Sequence, residues 1–182
     1  GMKRMLLCIG IVLVVATVAF ADKWWTDANW CTWKCVEDKD GSITITGVRA
    51  RKNGAITIPT TLRGIPVTRI KAEAFYDNAL LTDVTIPGNI VSIGDRAFAK
   101  CRNLKNLTFL DGVRQIEGDD AFRWCTSLHT VTIPKSLNYF RCRTFRDCFN
   151  IKRVNVDSVE AYLAIRFGAG SATPFCCTKA CL

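Results

Sequence analysis

One motif returns through the middle of the chain at a nearly fixed interval. DRAFAKC at 95–101 comes back as DDAFRWC at 119–125 and as CRTFRDC at 142–148. Aligned on their aromatic residue, Phe75, Phe98, Phe122 and Phe145 lie 23, 24 and 23 residues apart, and the position three residues on reads Asn78, Cys101, Cys125 and Cys148. Leu81, Leu104, Leu128 and Ile151 keep the same cadence, as do Ile70, Ile93, Ile116 and Phe140. Val84 with Ile86, Leu107 with Phe109, Val131 with Ile133 and Val154 with Val156 alternate around Thr85, Thr108, Thr132 and Asn155. Alternation of period two puts one set of side chains inward and the other outward. A unit this short cannot bury its apolar face alone, so successive copies must stack as coils, with equivalent residues forming columns.

Leucine, strand and Asn/Cys positions in this order mark a leucine-rich-repeat solenoid. The segment LTDVTIPGNIVSIGDRAFAKCRN at 81–103 resembles the unit LxxVTIPxxVxxIGxxAFxxCxx of the BspA-like leucine-rich repeats of bacterial surface and secreted proteins. DGSITITG, AITIP and GIPVTRI resemble that family's opening turns, and DSVEAYLAIRFGAGSATPF its variant closing repeat, so the likeness spans about 33–182. The third copy departs from the pattern with Leu110 and Asp111 where proline is usual, and the fourth with Phe140 and Arg141 in place of Ile-Gly. The resemblance implies an α/β repeat solenoid: a short right-handed coil with one parallel sheet, short helices or turns on the other side, and capped ends.

Four segments are expected. Gly1 reads as a cloning remnant, and Lys3 and Arg4 before the apolar run Met5–Val18 and the Ala19-Phe20-Ala21 site read as a secretory signal over 1–21. The alternative of a retained membrane helix suits the run less well, because it is short and no stop-transfer pattern follows. Residues 22–55 are expected to form an N-terminal cap with a β-hairpin through DKDG, 56–156 the repeats, and 157–182 the closing repeat with a cysteine-rich C-terminal cap. The membrane is therefore met only in transit, and the mature protein is expected to be secreted, cell-surface or periplasmic. Removing the signal takes two of the basic residues behind the formal charge of +9 and no acid, so the chain stays basic.

Export permits disulfides without requiring them. In stacked coils Cys101, Cys125 and Cys148 form a column inside the core, where a thiol acts as a small hydrophobe. Other leucine-rich repeats place a turn-closing asparagine or cysteine at this position, so these three are expected to be buried structural thiols, headed by Asn78. Cys31, Cys35, Cys176, Cys177 and Cys181 are the candidate disulfide partners. The two end groups lie some six coil spacings apart, roughly 28 Å, beyond the ~7 Å Cα limit for one bridge. Cys35, in phase with Trp33 and facing Ile43 and Ile45 across the hairpin, suits the core as readily as a bridge. Cys142, at an exposed turn position, is expected to be an accessible thiol.

No catalytic constellation emerges. His129, the sole histidine, falls on a variable, outward position and has no partner for Cys-His catalysis. CCxxxC supplies three thiols where a zinc site needs four ligands. The glycines at 41, 47, 54, 64 and 94 mark solenoid turns rather than a phosphate loop. The expectation is a noncatalytic protein without metal or cofactor.

Two surfaces remain as candidate binding sites. Asp83, Asn106, Thr130 and Arg153 form an outward sheet column that changes chemistry at each step, beside the nearly uniform column Thr57, Thr85, Thr108, Thr132 and Asn155. Arg96, Lys100, Arg102, Arg123, Arg143 and Arg146 all lie in the Ala-Phe turns and should form one basic band, either solvated charge or an attractor for an acidic protein or glycan. Trp24, Trp25, Trp30 and Trp33 are expected to cover the first coil rather than to form a sugar platform. Nothing points to nucleic acid. The resemblance implies a protein-binding module, with adhesion to a host or extracellular protein as its role. Two alternatives are an extracellular assembly cross-linked through the terminal cysteines, and glycan or polyanion binding through the basic band.

Overall fold

A computed structural model describes residues 23–27, 31–49, 54–141 and 143–168. The signal at 1–21, Trp30, Cys142 and the cysteines at 176, 177 and 181 lie outside the described residues. The chain opens with β1 (Lys23–Thr26), β2 (Thr32–Glu37) and β3 (Ile43–Arg49), followed by β4 (Ala55–Thr57), β5 (Thr61–Leu62) and β6 (Ile65–Ile70). Then come β7 (Asp83–Ile86), β8 (Ser92–Ile93), β9 (Asn106–Phe109), β10 (Gln115–Ile116), β11 (Thr130–Ile133) and β12 (Tyr139–Phe140). The last elements are β13 (Arg153–Val156), α1 (Val159–Leu163) and β14 (Arg166–Phe167). The result is a β-solenoid of about five turns.

Its main sheet is parallel, in the order β13-β11-β9-β7-β4. Register runs straight across it: Asp83 opposes Asn106, Asn106 opposes Thr130, and Thr130 opposes Arg153. The period set that register, because slipping a strand by one residue would turn Val84 or Leu107 out to water. Val84, Ile86, Leu107, Phe109, Val131 and Ile133 are all buried.

A second parallel ladder replaces the plain return side expected from the single-sheet reading. β3, β6 and β8 pair in parallel through Ile45, Ile70 and Ile93, and β10, β12 and β14 through Ile116, Phe140 and Phe167. Most of these strands have only two residues, too few for alternation to show in a sequence. The antiparallel strands β1 and β2 extend this ladder beyond β3. At the DKDG turn Arg69 from β6 binds Asp38 at 3.2 Å and Asp40 at 2.8 Å, tying the hairpin to the first coil.

The third side consists of turns, and the described residues contain only one short helix, α1, N-capped by Ser158. Each Ala-Phe turn puts two residues into the left-handed region: Glu73 and Asp77, Arg96 and Lys100, Asp120 and Trp124, Arg143 and Asp147, at φ between 52° and 65°. A residue there ends any helix, so the segment cannot wind into one. Its amides instead reach the next coil: Phe75 N donates to Ala97 O at 2.8 Å, Phe98 N to Ala121 O at 2.8 Å and Phe122 N to Thr144 O at 2.9 Å.

Inside, the motif phenylalanines stack. Phe75 and Phe98 lie 4.5 Å apart and nearly parallel, Phe98 and Phe122 5.0 Å, and Phe122 and Phe145 5.5 Å. Each such contact adds about 0.5–1.5 kcal/mol beyond the area it buries. Trp33 packs edge-on against Phe75, the first ring of the stack, and its indole N–H donates to Asp27 at 2.7 Å. Trp25 and Trp33 are buried, while Trp24 stays exposed beneath the Arg49 guanidinium.

Candidate interaction surfaces

The cysteine column does not close its own turns. Cys101 Sγ donates to Phe75 O at 3.1 Å, Cys125 Sγ to Phe98 O at 3.3 Å and Cys148 Sγ to Phe122 O at 3.0 Å. Each thiol thus binds the carbonyl of the previous coil's phenylalanine. Asn78, with no earlier motif phenylalanine above it, accepts from Leu80 N in its own turn at 3.0 Å. Burial pushes the Cys101 thiol up to about 12, and burial first, then the neighbouring Cys148, raises Cys125 well above the usual thiol range. Buried and protonated, these groups are poor nucleophiles.

Cys31 and Cys35 are not bridged to each other. They stand four residues apart along an extended segment, roughly 13 Å, too far for a disulfide. Cys35 is buried over Lys23 O, and Cys31 is half-buried with its thiol raised by desolvation and by Asp27. His129 is exposed, with Nδ1 2.6 Å from Ser127 O. Among the described residues no group of three or more His, Cys, Asp or Glu could hold a metal ion.

The outward face of the main sheet carries both the threonine column and the varied one. Thr57 and Asn155 are exposed at its edges, and Thr85, Thr108 and Thr132 are half-buried between them. In the varied column Asn106 Nδ2 donates to Asp83 Oδ1 at 2.6 Å, and Thr82 Oγ1 donates to Asp83 Oδ2 at 2.7 Å. Asp83 is therefore a fixed acceptor. Asn106 and Arg153 are exposed, and Thr130 between them is half-buried.

The basic band needs correcting. Arg96 binds Glu73 at 2.8 Å, Arg123 binds Asp147 at 3.0 Å, Arg146 lies 3.8 Å from Asp147, and Arg143 lies 4.0 Å from Asp120. Coil stacking makes three of these pairs, since Glu73, Asp120 and Asp147, each two residues from a motif phenylalanine, come to rest beside a base of the adjacent coil, whereas Arg146 meets the next residue of its own turn. Among the described residues only Lys100 and Arg102 of the six lack a carboxylate partner. The band also holds aromatics that the sequence reading passed over. Lys100 Nζ sits 5.0 Å from the Tyr76 ring centre and 5.2 Å from that of Trp124, and the Arg123 guanidinium 4.1 Å from Trp124. Trp124 shares the turn phase of the arginines, and that was the available signal.

A match to the BspA type Leucine rich repeat region covers residues 54–164 in 6 copies. The chain belongs to this family. Two solved structures share its fold. A leucine-rich repeat protein from Bacteroides capillosus is 29% identical, with 69% of this chain and 94% of that one covered and a TM-score of 0.60. A leucine rich cell surface protein from Faecalibacterium prausnitzii is 25% identical over 75% of this chain, with a TM-score of 0.52. The chain spans only 43% of that protein's length. The pneumococcal vaccine antigen PcpA, 22% identical with a TM-score of 0.54, covers 77% of this chain and 39% of its own, and shares the fold. No curated protein matches the sequence.

Proposed function

We propose that this BspA-type protein is a noncatalytic recognition module, secreted or held at a cell surface, that binds an extracellular or host protein through the outward face of its main sheet. One observation carries the reading: the column Asp83, Asn106, Thr130 and Arg153 changes chemistry at every coil while the register beneath it stays constant. A rigid scaffold with a variable outer row suits recognition of an extended or folded partner. Its likeness to a leucine rich cell surface protein supports the location. Among the described residues no helix is long and apolar enough to cross a membrane.

Adhesion is the role within this reading, and Asn106 and Arg153, the exposed members, are its specificity determinants. The test is surface-plasmon resonance of the exported chain over purified extracellular matrix proteins, repeated with Asn106→Lys and Arg153→Glu. Loss of a measured affinity in both variants, with unchanged thermal unfolding, supports the sheet. Equal affinity in wild type and both variants assigns binding elsewhere.

A further inference from the structure

We infer that Lys100, Arg102, Trp124 and Thr126 form a subsite for an anionic sugar residue, one carrying a carboxylate or sulfate on its ring. It is independent of the sheet and of the partner proposed there.

Three observations converge on these residues. The four line a shallow depression of about 390 Å³ on the turn side of the solenoid. That is near the lower end of small-ligand sites, about 300–1,000 Å³, and suits a ring or two rather than a folded partner. Among the described residues, Lys100 and Arg102 are the two bases of the band without a carboxylate partner, so their charge is available where that of Arg96 and Arg123 is not. Trp124, finally, is a poor choice for its own backbone. It sits at φ 59°, where Asp77, Lys100 and Asp147 stand in the equivalent turns, and of the four it is the bulkiest, a kind of residue that suits the left-handed region far less than Asp or Asn. The residue is 38% exposed, so burial in the core does not account for it. The turn requires the left-handed backbone here but not an indole, and a strained, exposed aromatic of this kind points to a ligand.

The chemistry fits one class. An indole with an apolar body accepts the C–H face of a sugar ring. Arg123, itself held by Asp147, lies 4.1 Å from the indole centre and fixes the ring. Arg102 offers a planar fork to a carboxylate or sulfate, Lys100 a point charge, and the exposed Thr126 a hydroxyl for a sugar hydroxyl. A neutral sugar would leave both cations unanswered, and an acidic peptide would leave the indole unused.

The test is calorimetric titration of the full chain with four probes: a hyaluronan oligosaccharide for the carboxylate, a chondroitin sulfate oligosaccharide for the sulfate, neutral dextran, and polyglutamate. The variants are Trp124→Asn, Lys100→Met with Arg102→Met, and Arg96→Met as an ion-paired control. One or both anionic sugars should bind, with dextran and polyglutamate much weaker. Trp124→Asn and the double variant should each lose about tenfold or more in affinity, as truncation of a central contact does, while Arg96→Met stays within about twofold. Trp124→Asn should keep or raise the unfolding temperature, because asparagine tolerates the left-handed turn, so lost binding there cannot be lost folding. Hyaluronan alone binding assigns a carboxylate, and chondroitin sulfate alone a sulfate. Failure of both sugars to bind overturns the subsite. So does polyglutamate binding as tightly as the sugars, or Trp124→Asn binding like the wild type.

Discussion

Cys125 donates its thiol proton to the carbonyl oxygen of Phe98, one coil earlier, at 3.3 Å. The same bond from Cys101 and Cys148 makes the column a set of rungs between coils rather than a row of fillers. The recurring cysteine thus gives a donor to the buried carbonyl of the previous coil's phenylalanine.

These rungs should be chemically silent. Native protein treated with iodoacetamide should leave Cys101, Cys125 and Cys148 unmodified and react at all three after denaturation, as peptide mass spectrometry would show. Rapid native labelling of Cys125 contradicts the packing described here.

Stability should fall in alkali for the same reason. Below the ordinary thiol value of 9.0 Cys101 and Cys125 are protonated in both folded and unfolded chains, and their contribution is complete. Between that value and about 12 the unfolded chain ionises while folded Cys101 keeps its proton, so stability is lost as pH rises. Each such thiol costs about 1.4 kcal/mol per pH unit in that window. Urea unfolding from pH 8 to 11 should therefore be steeper for the wild type than for Cys101→Ala with Cys125→Ala. Parallel curves would refute it.

The phenyl stack should dominate the core. Phe98, buried between Phe75 and Phe122, should cost about 3–5 kcal/mol when changed to alanine. Equilibrium denaturation measures it, and a loss below about 1 kcal/mol would mean that the neighbouring coils close the gap.

Glycines set how closely coils approach. A Cβ at Gly88 would run into the Asp111 carbonyl oxygen of the next coil, whereas at Gly41 it would meet open space. Gly88→Ala should thus destabilise by about 1–3 kcal/mol through overpacking against backbone. The change there is steric, and a drop in thermal unfolding temperature is the readout. An unchanged temperature would show that the two coils can part without cost.

How much of this was legible follows from geometry. The main sheet, its register and the phenyl column could be read because a 23-residue period forces equivalent residues into rows. The second ladder could not, since strands such as Ser92–Ile93 are too short to alternate. The turns at Arg96 and Lys100 were hidden because no glycine or asparagine marks their left-handed backbone. Charge was the largest misreading. Arg96 and Glu73 are 23 positions apart in sequence, yet pair at 2.8 Å once stacked, so a band counted by residue type overstates its free charge.

The recognition account meets its most direct test in binding to purified extracellular matrix proteins, comparing wild type with Asn106→Lys and Arg153→Glu at low and high salt. The account predicts that at least one protein binds and that both variants weaken it by tenfold or more at every salt concentration, since the contacts are close rather than long-range. Binding that survives both substitutions, or that vanishes in high salt for the wild type itself, would contradict recognition by the sheet.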